Sequence, residues 1–302
     1  MEFRHLRYFV TVAETGHMTR AAERLGIQQP PLSQQIRALE DRLGVRLLRR
    51  HPKGVDLTDE GRLFLDEARR LLADAEALTQ RMARIARGEL GRLSVGFTSS
   101  AATHAFTPRA LRECRRRFPD LALDLSEANA AELTEALAAG RLHAAFVRVP
   151  VAHPPGVDMH TLLREPVVVA LPLDHPLAAG DEPLALRALD GQLLILVRRP
   201  GAPGLYANLL ALCAREGVQP RVVAEVERML SNLNLVAAGA GLSVVPESMR
   251  GTHVHAIRYR ALAAGPELEA PLTLMVRAGE AQGALATFVA LVRELAAAPE
   301  PA

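Results

Sequence analysis

The sequence predicts a protein that is α/β overall and has three parts: a small helical module ending in a β-hairpin, one long helix, and two α/β lobes. Three observations support this fold class. Apolar residues recur at helical spacing through residues 6–43, and they follow a heptad through residues 64–85. From Leu93 onward, short apolar runs alternate with helical patterns.

Three helices are predicted in the N-terminal module. The first ends near Gly16, and the second covers about residues 19–25, with Thr19 available as its cap. A glycine turn leads into the third helix, whose entry carries Pro30 and Pro31, as suits a first helical turn. The apolar stripe of this third helix consists of Leu32, Ile36, Leu39 and Leu43. Two helices, a tight turn and a third helix with a polar outer face indicate a helix-turn-helix.

A β-hairpin, or wing, is predicted after the third helix. Short alternating apolar runs at 45–50 and 55–57 flank a basic turn that contains proline and glycine. Residues 1–58 carry ten basic and six acidic side chains, a net charge of +4 in a chain whose formal net charge is +2. A basic module of this kind indicates a polyanionic partner.

One long helix of about 29 residues, ~43 Å in length, is predicted over the segment 59–88. Its apolar seam alternates intervals of four and three residues. The seam consists of Phe64, Ala68, Leu71, Ala75, Leu78, Met82 and Ile85. A lone helix of this length has nothing against which to bury such a seam except a partner helix, so the seam predicts dimerisation.

The remaining residues, 89–302, are predicted to form two α/β lobes, about 92–162 plus 267–302 and about 163–266. Strand-like runs in this part alternate with helical patterns, which indicates a parallel sheet. The strand-like runs lie at 93–97, 121–125, 142–147, 166–171, 193–197, 221–226, 242–246 and 272–276.

Several segments resemble the LysR-type transcriptional regulators. The segments are Gln29-Pro30-Pro31-Leu32-Ser33-Gln34-Gln35-Ile36 with Leu39-Glu40, Leu43-Gly44-Val45-Arg46-Leu47-Leu48-Arg49-Arg50, and Leu57-Thr58-Asp59-Glu60-Gly61. The resemblance covers the whole chain and is specific over residues 1–65. It implies a winged helix-turn-helix domain at 1–58, a linker helix for dimerisation at 59–88, and an effector-binding domain at 89–302 similar to periplasmic solute-binding proteins.

The same resemblance implies a function and a set of partners. The expected function is sequence-specific, effector-switched transcription regulation, more often activation than pure repression. Expected partners are double-stranded operator DNA, a small anionic effector, further copies of the chain in a dimer or tetramer, and RNA polymerase, with no membrane. The segments 97–100 and 146–148 are most similar to regulators of aromatic-compound catabolism.

Candidate DNA contacts lie on the polar face of the third helix and on the wing. Glutamine can pair bidentately with adenine and arginine with guanine, whereas wing cations suit phosphates. The expected DNA-binding residues are Gln29, Pro30, Ser33, Gln34, Arg37, Arg50 and Lys53. The alternative is an ordinary solvated helix face. The family often has arginine where Gln34 stands, which bears on operator preference.

Candidate effector contacts lie where predicted strands end. Hydroxyls and helix-start N–H groups at Thr98, Ser99 and Ser100 suit a carboxylate, although such runs also serve as helix caps. Arg148 could supply a cation to the ligand or form a salt bridge inside the domain. The expected set is completed by Asn129, Arg199, Pro200 and Gly201.

Enzymatic and metal-binding readings find little support in the sequence. The single lysine, Lys53, excludes a G-x-x-x-x-G-K-[ST] phosphate loop, and the two cysteines show no C-x-x-C spacing. No catalytic residue, metal ligand or cofactor is therefore expected. A charged N-terminus and free cysteines favour the cytoplasm. The rival interpretation is a stand-alone solute-binding module, or an enzyme, with a fused helical region.

Overall fold

The computed structural model describes residues 1–148, 156–197, 204–265, 268–279 and 282–298. It contains two compact units, Met1–Arg84 and Ile85–Ala302. Across the described helices, no stretch combines the length and the apolar character that a bilayer crossing requires. Each unit has its own hydrophobic core and is described separately.

The N-terminal unit contains three short helices, a hairpin and the start of a long helix. The elements are α1 (Phe3–Thr15), α2 (Met18–Arg24), α3 (Gln29–Leu43), β1 (Leu48–His51), β2 (Gly54–Leu57) and α4 (Asp59–Ala86). The predicted cap of α2 is wrong by two residues. The helix begins at Met18, so Thr19 lies inside it and His17 occupies the cap position. The His17 side chain makes no capping hydrogen bond.

Helices α1, α2 and α3 pack around one apolar core. Leu32, Ile36 and Leu39 of the predicted α3 stripe are buried in it. The fourth predicted member, Leu43, is 37% exposed, because α3 ends there and the chain turns away at Gly44. The buried residue of that last turn is instead Glu40.

The C-terminal unit alternates helices and strands. Its strands are β3 (Gly91–Phe97), β4 (Leu121–Glu127), β5 (Ala144–Val147), β6 (Val157–Pro172), β7 (Leu184–Ala185), β8 (Leu193–Val197), β9 (Arg221–Val226), β10 (Ser243–Pro246), β11 (Ile257–Ala263) and β12 (Glu269–Arg277). Its α-helices are α5 (Ser99–Ala102), α6 (Phe106–Arg117), α7 (Ala130–Ala138), α8 (Leu205–Arg215), α9 (Met229–Ala237) and α10 (Gly283–Ala297).

The main sheet of this unit is mixed, whereas the alternating pattern predicted a parallel one. Strands β4, β3 and β5 are parallel, as are β8 and β9. By contrast, β12 is antiparallel to both β5 and β6, and β6 is antiparallel to β10 and β11. The two long strands β6 and β12 are antiparallel because one carries the chain out of the first core and the other brings it back.

Two main apolar cores lie in this unit and share those two strands. One core includes Phe106, Phe146 and Phe288 and packs beneath the β4–β3–β5 part of the sheet. The other is built on Val167 to Leu171 of β6 together with β8, α8 and α9. The first core combines residues 93–146 with α10 at the far end of the unit, whereas the second core is built from residues 167–270.

Candidate functional site

Helix α3 presents the polar face that the sequence predicts. Gln29, Pro30, Gln34 and Arg37 are exposed, and Ser33 is half-buried, on the side opposite the buried stripe. The two prolines occupy the first helical turn, where the missing N–H has no intrahelical partner to lose. The Gln29 side-chain amide donates to the Ser33 hydroxyl at 3.0 Å, which leaves the hydroxyl proton available to an outside acceptor.

The wing forms as predicted, with β1 antiparallel to β2 and the register running from Leu48 opposite Leu57 to His51 opposite Gly54. Arg50 and Lys53 are exposed on it. Its second strand is fixed to the end of α1, since the Val55 N–H donates to the Gly16 carbonyl at 2.8 Å. A Cβ at Gly54 would lie 2.4 Å from that same carbonyl oxygen, so only glycine fits there.

The seam of α4 divides into two parts. Phe64 and Ala68 pack against the core of their own unit, with the Phe64 ring 5.1 Å from that of Phe9. The members farther along the helix are exposed or half-buried. They are Leu71, Ala75, Leu78, Met82 and Ile85. Ala68 is fully buried by the three-helix core and Phe64 is half-buried, so the prediction that the seam pairs with a partner helix is wrong for Ala68. For the other positions it stays a prediction.

The predicted hydroxyl and amide groups share one edge of the sheet in the C-terminal unit. Thr98 follows β3 and Asn129 follows β4, and the carboxyl ends of these parallel strands meet at the same edge. Both side chains cap helices: the Thr98 oxygen accepts from the Ala101 N–H at 3.3 Å, and the Asn129 oxygen accepts from the Glu132 N–H at 3.0 Å. Thr98 is therefore a helix cap, the alternative that the sequence left open for it, and Asn129 caps a helix as well.

The two serines that follow Thr98 do not cap a helix. Ser99 and Ser100 form the first turn of α5 and are mostly buried. The Ser100 hydroxyl lies 3.4 Å from that of Thr98. Their hydroxyls and first-turn N–H groups provide hydrogen-bond donors at the strand edge.

Arg148 is held inside the domain and is not a free cation for a ligand. Its side chain is 4% exposed, and its guanidinium pairs with the carboxylate of Glu165. The same group donates to the Ser100 carbonyl at 3.1 Å, the Ser248 hydroxyl at 2.6 Å and the Ala270 carbonyl at 3.4 Å. Burial lowers the pKa of Arg148 below its usual value, against the opposing effect of the carboxylate. The internal salt bridge, which the sequence left open as an alternative, is correct.

Glu165 completes a connection between the two cores. It lies on β6, and its carboxylate accepts from the Ser248 N–H at 2.8 Å and from the Ser248 hydroxyl at 3.0 Å. Ser248 lies in the 3₁₀ turn Glu247–Met249 that follows β10. The next residue, Met249, accepts from the Thr103 hydroxyl at 2.8 Å. The segment that carries the two serines is thus tied to the second core at two points.

Two groups that the sequence did not single out lie near these residues. Arg228 precedes α9 and pairs with Glu127 at the end of β4, with a separation of 3.8 Å. The signal in the sequence was its position two residues after the strand-like run 221–226. The predicted contacts Arg199, Pro200 and Gly201 lie outside the described residues.

A buried polar cluster lies in the second core. The Asn232 amide donates to the Ile195 carbonyl at 3.2 Å and to the Tyr206 hydroxyl at 3.4 Å. That hydroxyl lies 3.1 Å from the Ser243 hydroxyl, which donates to Ile195. Burial raises the pKa of Tyr206, so its phenol stays neutral and can donate. This cluster joins β8, α8, α9 and β10. Within the described ranges, no group of three or more His, Cys, Asp or Glu side chains could hold a metal ion.

Comparison with known proteins identifies both units. Residues 3–62 match the family of bacterial regulatory helix-turn-helix proteins of the lysR family, and residues 86–297 match the LysR substrate binding domain. The HTH-type transcriptional regulator BudR of Raoultella terrigena is 41% identical over 249 residues, which cover 82% of this chain and 86% of that protein.

Two further proteins extend the similarity to nearly the whole length. The probable cat1 operon transcriptional activator of Acinetobacter lwoffii is 35% identical over 295 residues, 98% of this chain and 96% of that protein. The crystal structure of full-length CbnR complexed with its target DNA has a TM-score of 0.80 and 33% identity. It covers 98% of this chain and 100% of that one. The relatives named here are transcription regulators and not enzymes. With both family matches and this coverage, the chain belongs to the LysR family of DNA-binding transcription regulators.

Proposed function

We propose that this protein binds operator DNA through α3 and the wing and activates transcription when a small anionic molecule binds the C-terminal unit. The observation that carries the proposal is the exposed polar face of α3 beside two exposed wing cations in a basic module. The relative described as complexed with its target DNA supports a DNA partner for this chain. The proposed place of action is the cytoplasm, where that DNA lies.

The proposed DNA contacts divide by chemistry. Gln29, Pro30, Ser33, Gln34 and Arg37 would enter the major groove, where glutamine and arginine side chains distinguish base pairs. Arg50 and Lys53 would neutralise phosphates, which position the module and supply most of the salt-dependent affinity.

The proposed effector site is the strand edge at Thr98, Ser99, Ser100 and Asn129; the predicted contacts at 199–201 lie outside the described residues. Hydroxyls and helix-start N–H groups are donors, so the site suits a carboxylate better than a cation. The resemblance of residues 97–100 to regulators of aromatic-compound catabolism favours an aromatic-degradation metabolite. Arg148 would act on the site through the Ser100 carbonyl rather than by touching the ligand.

The proposed switch is a shift between two lobes, about 92–162 plus 267–302 and about 163–266. The two cores and the strands β6 and β12 that they share support this division. A ligand changes such an equilibrium only if it binds one arrangement more tightly than the other. Dimers paired through the exposed part of the α4 seam, assembled into tetramers that contact RNA polymerase, would transmit the shift to the DNA.

Calorimetry on the full chain with aliphatic and aromatic carboxylates tests the effector site. We expect a small carboxylate to bind, and Ser100→Ala to weaken that binding by about 1 kcal/mol or more, the cost of a lost charge-assisted hydrogen bond. Thr161→Ala, which removes an exposed hydroxyl from β6, serves as the matched control. A cognate ligand that is cationic or purely apolar would refute this site while leaving the regulator family intact.

A further inference from the structure

A buried carboxylate lies at the end of α3, the helix proposed to enter the DNA groove. Glu40 is in the last turn of α3 and is 4% exposed. Both features disfavour a negative charge: burial removes its hydration, and the C-terminal end of a helix dipole is itself negative. Such a group persists only where strong donors surround it.

The donors come from the segment that leads into the wing. One carboxylate oxygen of Glu40 accepts from the backbone N–H groups of Leu47 at 2.8 Å and Leu48 at 3.1 Å. The other accepts from the exposed guanidinium of Arg46 at 3.1 Å. The backbone carbonyl of Glu40 also accepts from the Gly44 N–H at 2.9 Å. Glu40 therefore accepts hydrogen bonds from four residues of the segment that joins α3 to β1, namely Gly44, Arg46, Leu47 and Leu48.

These contacts fix the root of the hairpin. Leu48 is the first residue of β1, so a carboxylate bonded to its N–H sets where the strand leaves α3. The returning strand is held at the same level, because the Thr58 N–H donates to the Leu47 carbonyl at 3.0 Å and its hydroxyl donates to the Arg46 carbonyl at 2.7 Å. Arg50 and Lys53 follow two and five residues after Leu48 on this hairpin.

We propose that Glu40 is the positioning residue for the wing: its carboxylate holds the wing cations at the correct distance from α3 for phosphates beside the bound groove. The inference rests on the proposed phosphate contacts of Arg50 and Lys53. Glu40 itself is buried and touches no DNA in this scheme. If the Glu40 charge merely repelled DNA, removing it would strengthen DNA binding instead of weakening it.

The test compares Glu40→Gln with Asp41→Asn in the full chain. Both variants remove one negative charge from the same helix turn, but Asp41 is exposed. We expect Asp41→Asn to bind DNA at least as tightly as the unmodified chain. We expect Glu40→Gln to bind roughly tenfold or more weakly and to lose about one to two units of salt dependence, since each lost phosphate contact removes about 0.9.

A double-substitution cycle separates positioning from general stability. If Glu40 places the wing, Lys53→Ala should cost much less in the Glu40→Gln background than in the unmodified chain, because its contact is already lost. If Lys53→Ala weakens DNA binding as much in the Glu40→Gln background as in the unmodified chain, the role of Glu40 is refuted. The proposed phosphate contact of Lys53 would then still stand. No effect of Lys53→Ala in the unmodified chain would refute the proposed phosphate contact, and this inference with it.

Hydrogen exchange keeps the inference testable if Glu40→Gln fails to fold. In the DNA-free, unmodified chain, the Leu47 and Leu48 amides should exchange as slowly as those of the α3 core, since the carboxylate accepts from both. Exchange at the rate of an exposed turn would overturn the inference.

Discussion

Replacing Leu78 with glutamate should disrupt self-association through the α4 seam. Leu78 is 59% exposed in the single chain, and Met82 one turn away is 54% exposed. Fully burying a leucine stabilises by about 1.5–3 kcal/mol, so covering the exposed part of Leu78 contributes about 1–2 kcal/mol per chain. A two-fold pair loses that contribution twice and also places two unpaired carboxylates in an apolar contact.

The combined loss is at least about 4 kcal/mol, which raises the dissociation constant of the seam roughly thousandfold. Sedimentation velocity should then show smaller species than the unmodified chain at equal concentration. Gln80→Glu adds the same charge on the outer face of the helix and should leave the assembly unchanged. Acid pH should partly restore association of the Leu78→Glu variant, because a protonated carboxyl is cheaper to bury. An unchanged assembly at neutral pH would refute the seam as an interface.

Three further predictions concern the C-terminal unit. Arg148→Met leaves Glu165 without its cation and should lower the free energy of unfolding by about 3–5 kcal/mol in denaturant titration. Arg164→Met, which removes an exposed pair, should cost about 1 kcal/mol or less, and equal losses would contradict the argument. Burial raises the pKa of Cys114 to about 11. Alkylation of this thiol at pH 8 should therefore be slow in the native protein and fast in urea. Fast alkylation of the native protein would contradict this burial. Gly88→Ala should lower the melting temperature, because its Cβ would lie 2.2 Å from the first backbone carbonyl oxygen of α10, and an unchanged value would disprove the clash.

Local signals predicted the N-terminal unit well because its elements depend on nearby residues. Pro30 and Pro31 mark the start of α3, and the basic turn at 52–53 separates the two strands of the wing. The heptad predicted the length and the apolar face of α4. The heptad does not show which residue packs against each position. At the start of the seam, the ring of Phe9 packs against Phe64.

Long-range pairing explains what the sequence did not predict in the C-terminal unit. The apolar run predicts a strand at 166–171, but β6 begins at Val157. Its first half mixes polar and apolar residues because that half is only partly covered. Strand β11 also mixes polar and apolar residues, and the sequence pattern does not predict it. Arg148 gave no local sign of its partner, since Glu165 lies on another strand and meets it only after the sheet has formed.

Selection of bound fragments from a random DNA pool tests most directly whether the exposed face of α3 determines DNA sequence recognition. The unmodified chain should enrich a motif with two related half-sites that the protein protects from cleavage. Arg37→Ala should bind that motif more weakly by about 1–3 kcal/mol and relax the preference at one position in each half-site. Recovery of fragments with no shared motif, or an Arg37→Ala variant with unchanged motif and affinity, would contradict the account.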